Sequence, residues 1–142
     1  MLVRLVYASR ATEPVTSEVL DNILASSRDN NKDTGVTGVL CLCQDNVFLQ
    51  VLEGGREQVN QLYSNLLTDS RHQDVLLLDY EEIRERQFSN WRMGRVDMER
   101  LNPGTILKYS ETAVIDPYKI PGAVALDLLN ELMSTAAIVG RS

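Results

Sequence analysis

The chain of 142 residues is poor in the side chains on which most enzymes and metal sites depend. It holds one histidine, His72, and two cysteines, Cys41 and Cys43. Two cysteines set two apart in an apolar run make neither a disulfide framework nor a zinc set, so a reducing cytoplasm is the expected compartment and no metal is expected. Basic charge is also short: 14 Lys and Arg against 20 Asp and Glu leave a formal net charge of −6. General nucleic-acid binding, which needs a basic footprint, is therefore not expected, although a local patch would suffice for one small anion. No apolar run approaches the roughly 18 residues of a membrane span, and the opening stretch Met1–Tyr7 is too short for a signal peptide. The sequence lacks GxGxxG, Walker, HExxH and CxxC patterns. Internal repeats and low-complexity tracts are absent as well. With 44% hydrophobic and 24% charged residues, the composition is that of an ordinary globular domain long enough to bury a core.

The periodicity that is present predicts an α+β fold. Leu2 to Ala8 is dense in strand formers, and neither of its faces is plainly polar, which predicts a central strand covered on both sides. Thr16 or Ser17 can cap a helix whose apolar stripe is Val19, Leu20, Ile23 and Leu24, with the polar run Arg28 to Asp33 ending it and Gly35 reversing the chain. Val36–Cys43 and Val47–Leu52 read as a hairpin around Gln44-Asp45-Asn46. A second helix over about 56–67 turns Val59, Leu62, Tyr63 and Leu66 inward. Val75–Leu78 is a fourth strand, Ile83–Phe88 a short charged turn, and Trp91–Val96 a fifth strand. The order is a ferredoxin-like β-α-β-β-α-β with an added fifth strand and two helices on one sheet face. Beyond Asn102-Pro103-Gly104 the character changes, and an Ala/Leu-rich segment carries the stripe Val124, Leu128, Leu132 and Ala136. A division follows: residues 1–97 as the domain proper, and 98–142 as a helical extension that caps the other sheet face or meets a partner.

A few residues fit packing poorly. Tyr7 shares a face with Val3 and Leu5, where a core tyrosine satisfied by a backbone carbonyl is the ordinary reading. Gln50 stands mid-strand in Phe48-Leu49-Gln50-Val51-Leu52, and a glutamine among apolar residues needs its amide satisfied. Asn31 ends the first helix, where asparagine is common. Trp91 and Met93 are two apart and, on a regular strand, share a face. Together these line a slot between the helices, offering hydrogen bonds to a flat heteroaromatic ring but no acid, base or metal set. His72 has no evident nucleophile beside it, and Asp79-Tyr80-Glu81-Glu82 reads as a solvated strand end. An acylphosphatase-type enzyme would need a poised arginine and asparagine that nothing in the sequence picks out.

These residues coincide with a family pattern. Leu5-Val6-Tyr7-Ala8-Ser9, Asn31 with Gly35-Val36-Thr37-Gly38-Val39-Leu40, Phe48-Leu49-Gln50-Val51-Leu52-Glu53-Gly54, Asp69-Ser70-Arg71-His72 and Phe88-Ser89-Asn90-Trp91-Arg92-Met93 occur in order over residues 1 to about 100. In this the chain resembles the BLUF photoreceptors, which sense blue light using FAD, and particularly the short stand-alone members. The resemblance implies FAD held non-covalently between the helices, with its ring against the sheet. It also implies roles: Tyr7 as electron and then proton donor to the excited flavin, Gln50 as the amide between that tyrosine and the ring, and Asn31 at the ring's carbonyl region. Trp91 and Met93 match the pair that relays the change. Asn30, Lys32, Arg71 and His72 match positions near the ring edge, ribityl chain or phosphate, and the charge of Arg28 suggests that it too meets the diphosphate.

On this reading the protein is a sensor and not an enzyme. Nothing after residue 100 resembles a cyclase, phosphodiesterase or DNA-binding domain, so output is expected through self-association, as a homodimer or higher oligomer, or through a separate protein partner. A BLUF-like domain that has lost light sensing and serves only as an interaction module is the alternative, and the intact Tyr7, Gln50 and Asn31 set speaks against it.

Overall fold

A computed structural model of the chain describes residues 1–140, so Arg141 and Ser142 of the expected extension lie outside the described residues. The elements run β1 (Leu2–Ala11), α1 (Ser17–Thr34), β2 (Thr37–Leu42), β3 (Val47–Gly55), α2 (Arg56–Leu67), β4 (His72–Ile83), β5 (Gly94–Val96), α3 (Pro103–Leu107), α4 (Gly122–Ser134) and β6 (Ile138–Val139), with single 3-10 turns at Met98–Arg100 and Pro117–Lys119. The strands form one sheet in the order β4-β1-β3-β2-β5-β6. β1 pairs antiparallel with both β3 and β4, and β2 pairs parallel with β5. This is the expected ferredoxin-like plan, with β1 inside the sheet.

Strand alternation sorts the side chains into two cores. Val3, Leu5, Tyr7, Leu40, Phe48 and Leu52 face α1 and α2. Val6, Val39, Cys41, Leu49 and Val51 face the opposite way, against α4. From α4 this second core takes Ala125, Leu128, Leu129 and Leu132, each leucine worth about 1.5–3 kcal/mol of transfer free energy. The inward stripe therefore differs from the expected one: Val124 is half-buried and Ala136, past the helix end at φ 60°, is exposed. The helix meets the sheet with an i, i+3, i+4, i+7 set rather than a strict four-residue row. Cys41 and Cys43 point the same way, their sulfurs 3.7 Å apart and both buried.

Other boundaries shift for physical reasons. Thr16 caps α1 by accepting from the Val19 N–H, but the helix continues through the polar run to Thr34, where Gly35 at φ 73° closes it. β4 is longer than expected because the acidic run Asp79–Glu82 remains paired with β1. The fifth strand is shorter, Gly94–Val96, and the two-residue β6 pairs on its outer side. Gly122 opens α4 against the β4 edge, where an added Cβ would lie 1.9 Å from the Leu78 carbonyl oxygen.

Candidate functional site

The helix-facing side of the sheet is incompletely filled. α1 fully buries only Leu24 and Asn31, and α2 only Val59. Other apolar residues of their stripes, Val19 and Ile23 on α1 and Leu62, Tyr63 and Leu66 on α2, line a cavity of about 610 Å³. Its floor is the sheet face carrying Tyr7, Leu40, Phe48, Gln50 and Leu52. That is the size and composition of a small-molecule site: apolar walls with a few convergent polar groups.

The polar groups sit at the inner end. Tyr7 and Gln50 are direct cross-strand partners of β1 and β3, so one register brings the phenol and the amide together. The Tyr7 hydroxyl donates to Gln50 Oε1. Gln50 Nε2 lies 3.2 Å from Met93 Sδ, a weak acceptor. The amide thus has a strong partner on its oxygen and a poor one on its nitrogen. Burial, and then the neighbouring Tyr63, push the Tyr7 phenol well above its ordinary pKa, so it stays protonated. The two rings are 5.8 Å apart and tilted by 55°.

Asn31, on the last turn of α1, donates from Nδ2 to the Arg92 carbonyl and lines the same inner end. Its other N–H and its Oδ1 form a donor and acceptor side by side, which suits the imide edge of a heterocycle. At the outer rim Arg71 is held by Asp69, 2.7 Å from Nη2 to Oδ2, which lowers the Asp69 carboxyl to about 2. His72 Nδ1 lies 3.2 Å from Ser9 Oγ, and its ring packs on Phe48. Burial lowers its pKa.

The residues between β4 and β5 run as an irregular strap, fastened mainly by side chains. Arg86 donates to the Gly35 carbonyl. Glu53, fully buried, accepts from the backbone N–H groups of Gln87 and Phe88 at 3.0 and 2.6 Å, and from Arg4 Nε at 2.8 Å. The Gly38 N–H donates to the Trp91 carbonyl at 2.9 Å, and Arg28 Nε to the Met93 carbonyl at 3.0 Å.

Comparison with known proteins identifies the family. The family model described as "Sensors of blue-light using FAD" matches residues 2–94. The chain belongs to the BLUF family. It is 33% identical over 101 residues to the photoactivated adenylate cyclase subunit beta of Euglena gracilis, covering 70% of this chain and 12% of that protein. It is 32% identical over 101 residues to the blue light- and temperature-regulated antirepressor BluF of Escherichia coli K12, covering 70% of this chain and 23% of that protein. The chain thus spans less than a quarter of these relatives. The structure of BlsA in its photo-activated state covers 100% of this chain and 99% of its own, at 31% identity and a TM-score of 0.80. The dark-state structure of the BLUF protein BlrB covers 95% and 96%, at 28% identity and 0.73.

Residues 2–94 are accordingly a blue-light-sensing module that uses FAD, and the 101 residues shared with the cyclase subunit make up 12% of that protein. The cavity fits the cofactor: apolar walls suit the faces of a flat ring, and Gln50 and Asn31 offer amides at its edge. Among the residues expected to serve this BLUF site, Tyr7, Gln50, Asn31, Asn30, Arg71, His72 and Met93 all line the cavity. Lys32, one position round the helix from Asn31, is exposed and away from the lining. Arg28 is also displaced from its expected place: its guanidinium reaches the Met93 carbonyl and the backbone at Gly140, not the cavity mouth. Trp91 and Met93 do not share a face. Both precede β5, the bent backbone breaks strand alternation, and Trp91 falls into the α4-side core while Met93 enters the cavity side. Among the described residues the buried Trp91 indole N–H has no partner.

Sequence reasoning missed the Arg4–Glu53 pair. A charged residue on each of two central strands was the available signal, since their register sets Arg4 opposite Glu53. Among the described residues no helix is long and apolar enough to cross a membrane, and no group of three or more His, Cys, Asp or Glu could hold a metal.

Proposed function

We propose that Tyr7, Gln50 and Met93 form the light switch of this sensor, with residues 1–97 as the flavin-binding unit and 98–142 as its output element. Bound FAD supplies the light absorption and the electron acceptor. Tyr7 supplies the electron, and its hydroxyl proton leaves through Gln50 Oε1, to which it is already hydrogen-bonded. A phenol with a raised pKa holds that proton until the electron has gone, which ties the two transfers together. Gln50 would then turn its amide, exchanging which end meets Tyr7, and the return of the electron and proton to Tyr7 would leave a changed hydrogen-bond pattern at Gln50. Asn31 holds the ring's carbonyl region. Asn30, Arg71 and His72 line the way out and serve the ribityl and phosphate part.

The observation that carries this reading is the placement of Gln50 Nε2 on a thioether. A primary amide donor in contact with a weak acceptor gives up little when it turns toward a better one. The changed contact at Met93 is then passed along the strap to Trp91 and the α4 cover. Output proceeds through self-association, as a dimer or larger ring, or through a separate protein partner in the cytoplasm.

The test is the visible spectrum of the purified protein before and after blue light and through dark recovery. A flavin spectrum that shifts slightly to the red and returns supports the switch; bound flavin that only bleaches, or a protein that takes up no FAD, overturns it. Gln50→Ala should bind FAD and lose the shift, and a normal shift in that variant would remove Gln50 from the switch.

A further inference from the structure

Arg28 occupies a place that no cofactor contact explains. It stands three residues before Asn31 on α1, so both project from one side of the helix near the strap. Asn31 takes the Arg92 carbonyl and Arg28 Nε takes the next one, that of Met93, at 3.0 Å. The far end of the same guanidinium packs on the C-terminal strand. A Cβ built on Gly140, the residue after β6, would lie 2.3 Å from Arg28 Nη2 and 3.2 Å from Cζ. Gly140 is at φ 85°, a conformation glycine adopts without strain, and its bare Cα lets the guanidinium lie against the backbone. One rigid planar group therefore touches the cavity residue Met93 and the end of the chain's last strand.

A second contact joins the same two segments on the opposite sheet face. An added Cβ on Gly94 would meet the Trp91 ring at 2.7 Å and Ile138 Cγ2 at 2.8 Å, so the strap's indole and the β6 isoleucine both close over Gly94. β6 itself is short and pairs only with β5, through Arg95 with Val139 and Val96 with Ile138. A strand with two paired residues depends on such outside contacts for its position.

We propose that Arg28 is a positioning residue that yokes Met93 to the C-terminal strand, so that movement of the strap at the cavity is transmitted to β6 and to the α4 cover it follows. This rests on the switch proposed above, which supplies the movement at Met93. The guanidinium suits the task because its Nε–H and Nη2–H share one edge of a rigid plane: a carbonyl that shifts must either lose its donor or carry that edge, and the Gly140 contact, along with it.

The experiment is hydrogen exchange followed by mass spectrometry on the full chain loaded with FAD, in the dark and under blue light, for wild type, Arg28→Ala and Gly140→Ala. The wild type should show light-dependent exchange in peptides covering 91–96 and also in those covering 137–140. Arg28→Ala should keep FAD affinity, photoshift and the light response at 91–96, but lose the response at 137–140. In the dark its 137–140 peptides should lose protection and exchange faster, because Arg28 no longer packs against the backbone at Gly140. Gly140→Ala, which forces the guanidinium away from the other side, should give the same uncoupling, and it decides the matter if Arg28→Ala does not fold. A light response at 137–140 that survives in these variants overturns the yoke, as does a large loss of FAD affinity in Arg28→Ala, which would return the residue to the diphosphate. A wild type without a photoshift defeats the switch itself. The yoke is then read from FAD addition in the dark, which should alter 137–140 in the wild type and leave it unaltered in Arg28→Ala; equal responses overturn it.

Discussion

Replacing Glu53 by glutamine tests how the strap is anchored. The carboxylate is fully buried and accepts from Arg4 Nε at 2.8 Å and from the N–H groups of Gln87 and Phe88 at 3.0 and 2.6 Å. Glutamine keeps the shape but turns one oxygen into an NH2 donor, which must face either a guanidinium or a backbone N–H. Breaking one side of a buried ion pair costs about 3–5 kcal/mol. The lower end applies because Arg4 retains Glu81, at 2.6 Å and half-exposed, as a second partner. For 142 residues the unfolding entropy is about 0.3 kcal/mol/K, so a loss of about 3 kcal/mol lowers Tm by roughly 10 °C. Urea unfolding and a thermal melt of the full chain measure this. A loss below about 1 kcal/mol, the worth of an ordinary neutral hydrogen bond, would refute the reasoning, because the strap would then be held by something other than this carboxylate.

Two further outcomes follow from the geometry. Gly122→Ala places a Cβ 1.9 Å from the Leu78 carbonyl and should destabilise the chain by about 1–3 kcal/mol despite the better helix propensity of alanine; a stabilised variant in urea would show that α4 does not seat on the β4 edge. His72 is held below its ordinary pKa of 6.5 mainly by burial, so the folded state favours the neutral ring. Its contribution is present above about pH 6.5 and is lost as pH falls from there through the folded-state value, because the unfolded chain takes up the proton first. Urea midpoints should therefore decline in that window, and His72→Gln should flatten the decline. An unchanged slope in that variant would assign the pH dependence elsewhere.

The sheet was largely legible from alternation, and so was the site. Val3, Leu5 and Tyr7 share a face because β1 is regular, and Gln50 stood out because a mid-strand amide among apolar neighbours needs a partner. Errors gathered where regular geometry stops. A period of two puts Trp91 and Met93 on one face, and it fails because the backbone bends before Gly94. The polar run of α1 reads as a helix end, yet the helix continues and part of that run faces inward: Asn30 lines the cavity, and Arg28 and Asn31 donate to carbonyls of the strap. Arg28 looked like an anion ligand because charge alone does not tell a side chain which end of a helix face it will reach. The Arg4–Glu53 pair is long-range, 49 residues apart, and becomes visible only once the β1–β3 register is known.

The irregularity of the strap has a functional logic. A fifth strand running from Trp91 to Val96 would have been fixed to β2 by a continuous backbone ladder, and every displacement at Met93 would have had to break several ladder bonds together. Instead β5 shares only two register pairs with β2, Val39 with Gly94 and Leu40 with Arg95. The residues before it are fastened mostly by single side-chain bonds, from Asn31, Arg28, Arg86 and Glu53. Such bonds can be exchanged one at a time: those from Asn31, Arg28 and Arg86 to single carbonyls cost little, whereas those to the buried Glu53 carboxylate cost about 3 kcal/mol. The anchors are also graded along the strap: the buried Glu53 carboxylate holds Gln87 and Phe88 with charge-assisted bonds, whereas Met93 Sδ meets Gln50 through a weak thioether contact. The side-chain contact nearest Gln50 is thus weak, while the backbone at Arg92 and Met93 is held by Asn31 and Arg28. On the switch proposed above, the Met93 thioether is the contact that yields when Gln50 turns, because it is the weakest the amide makes.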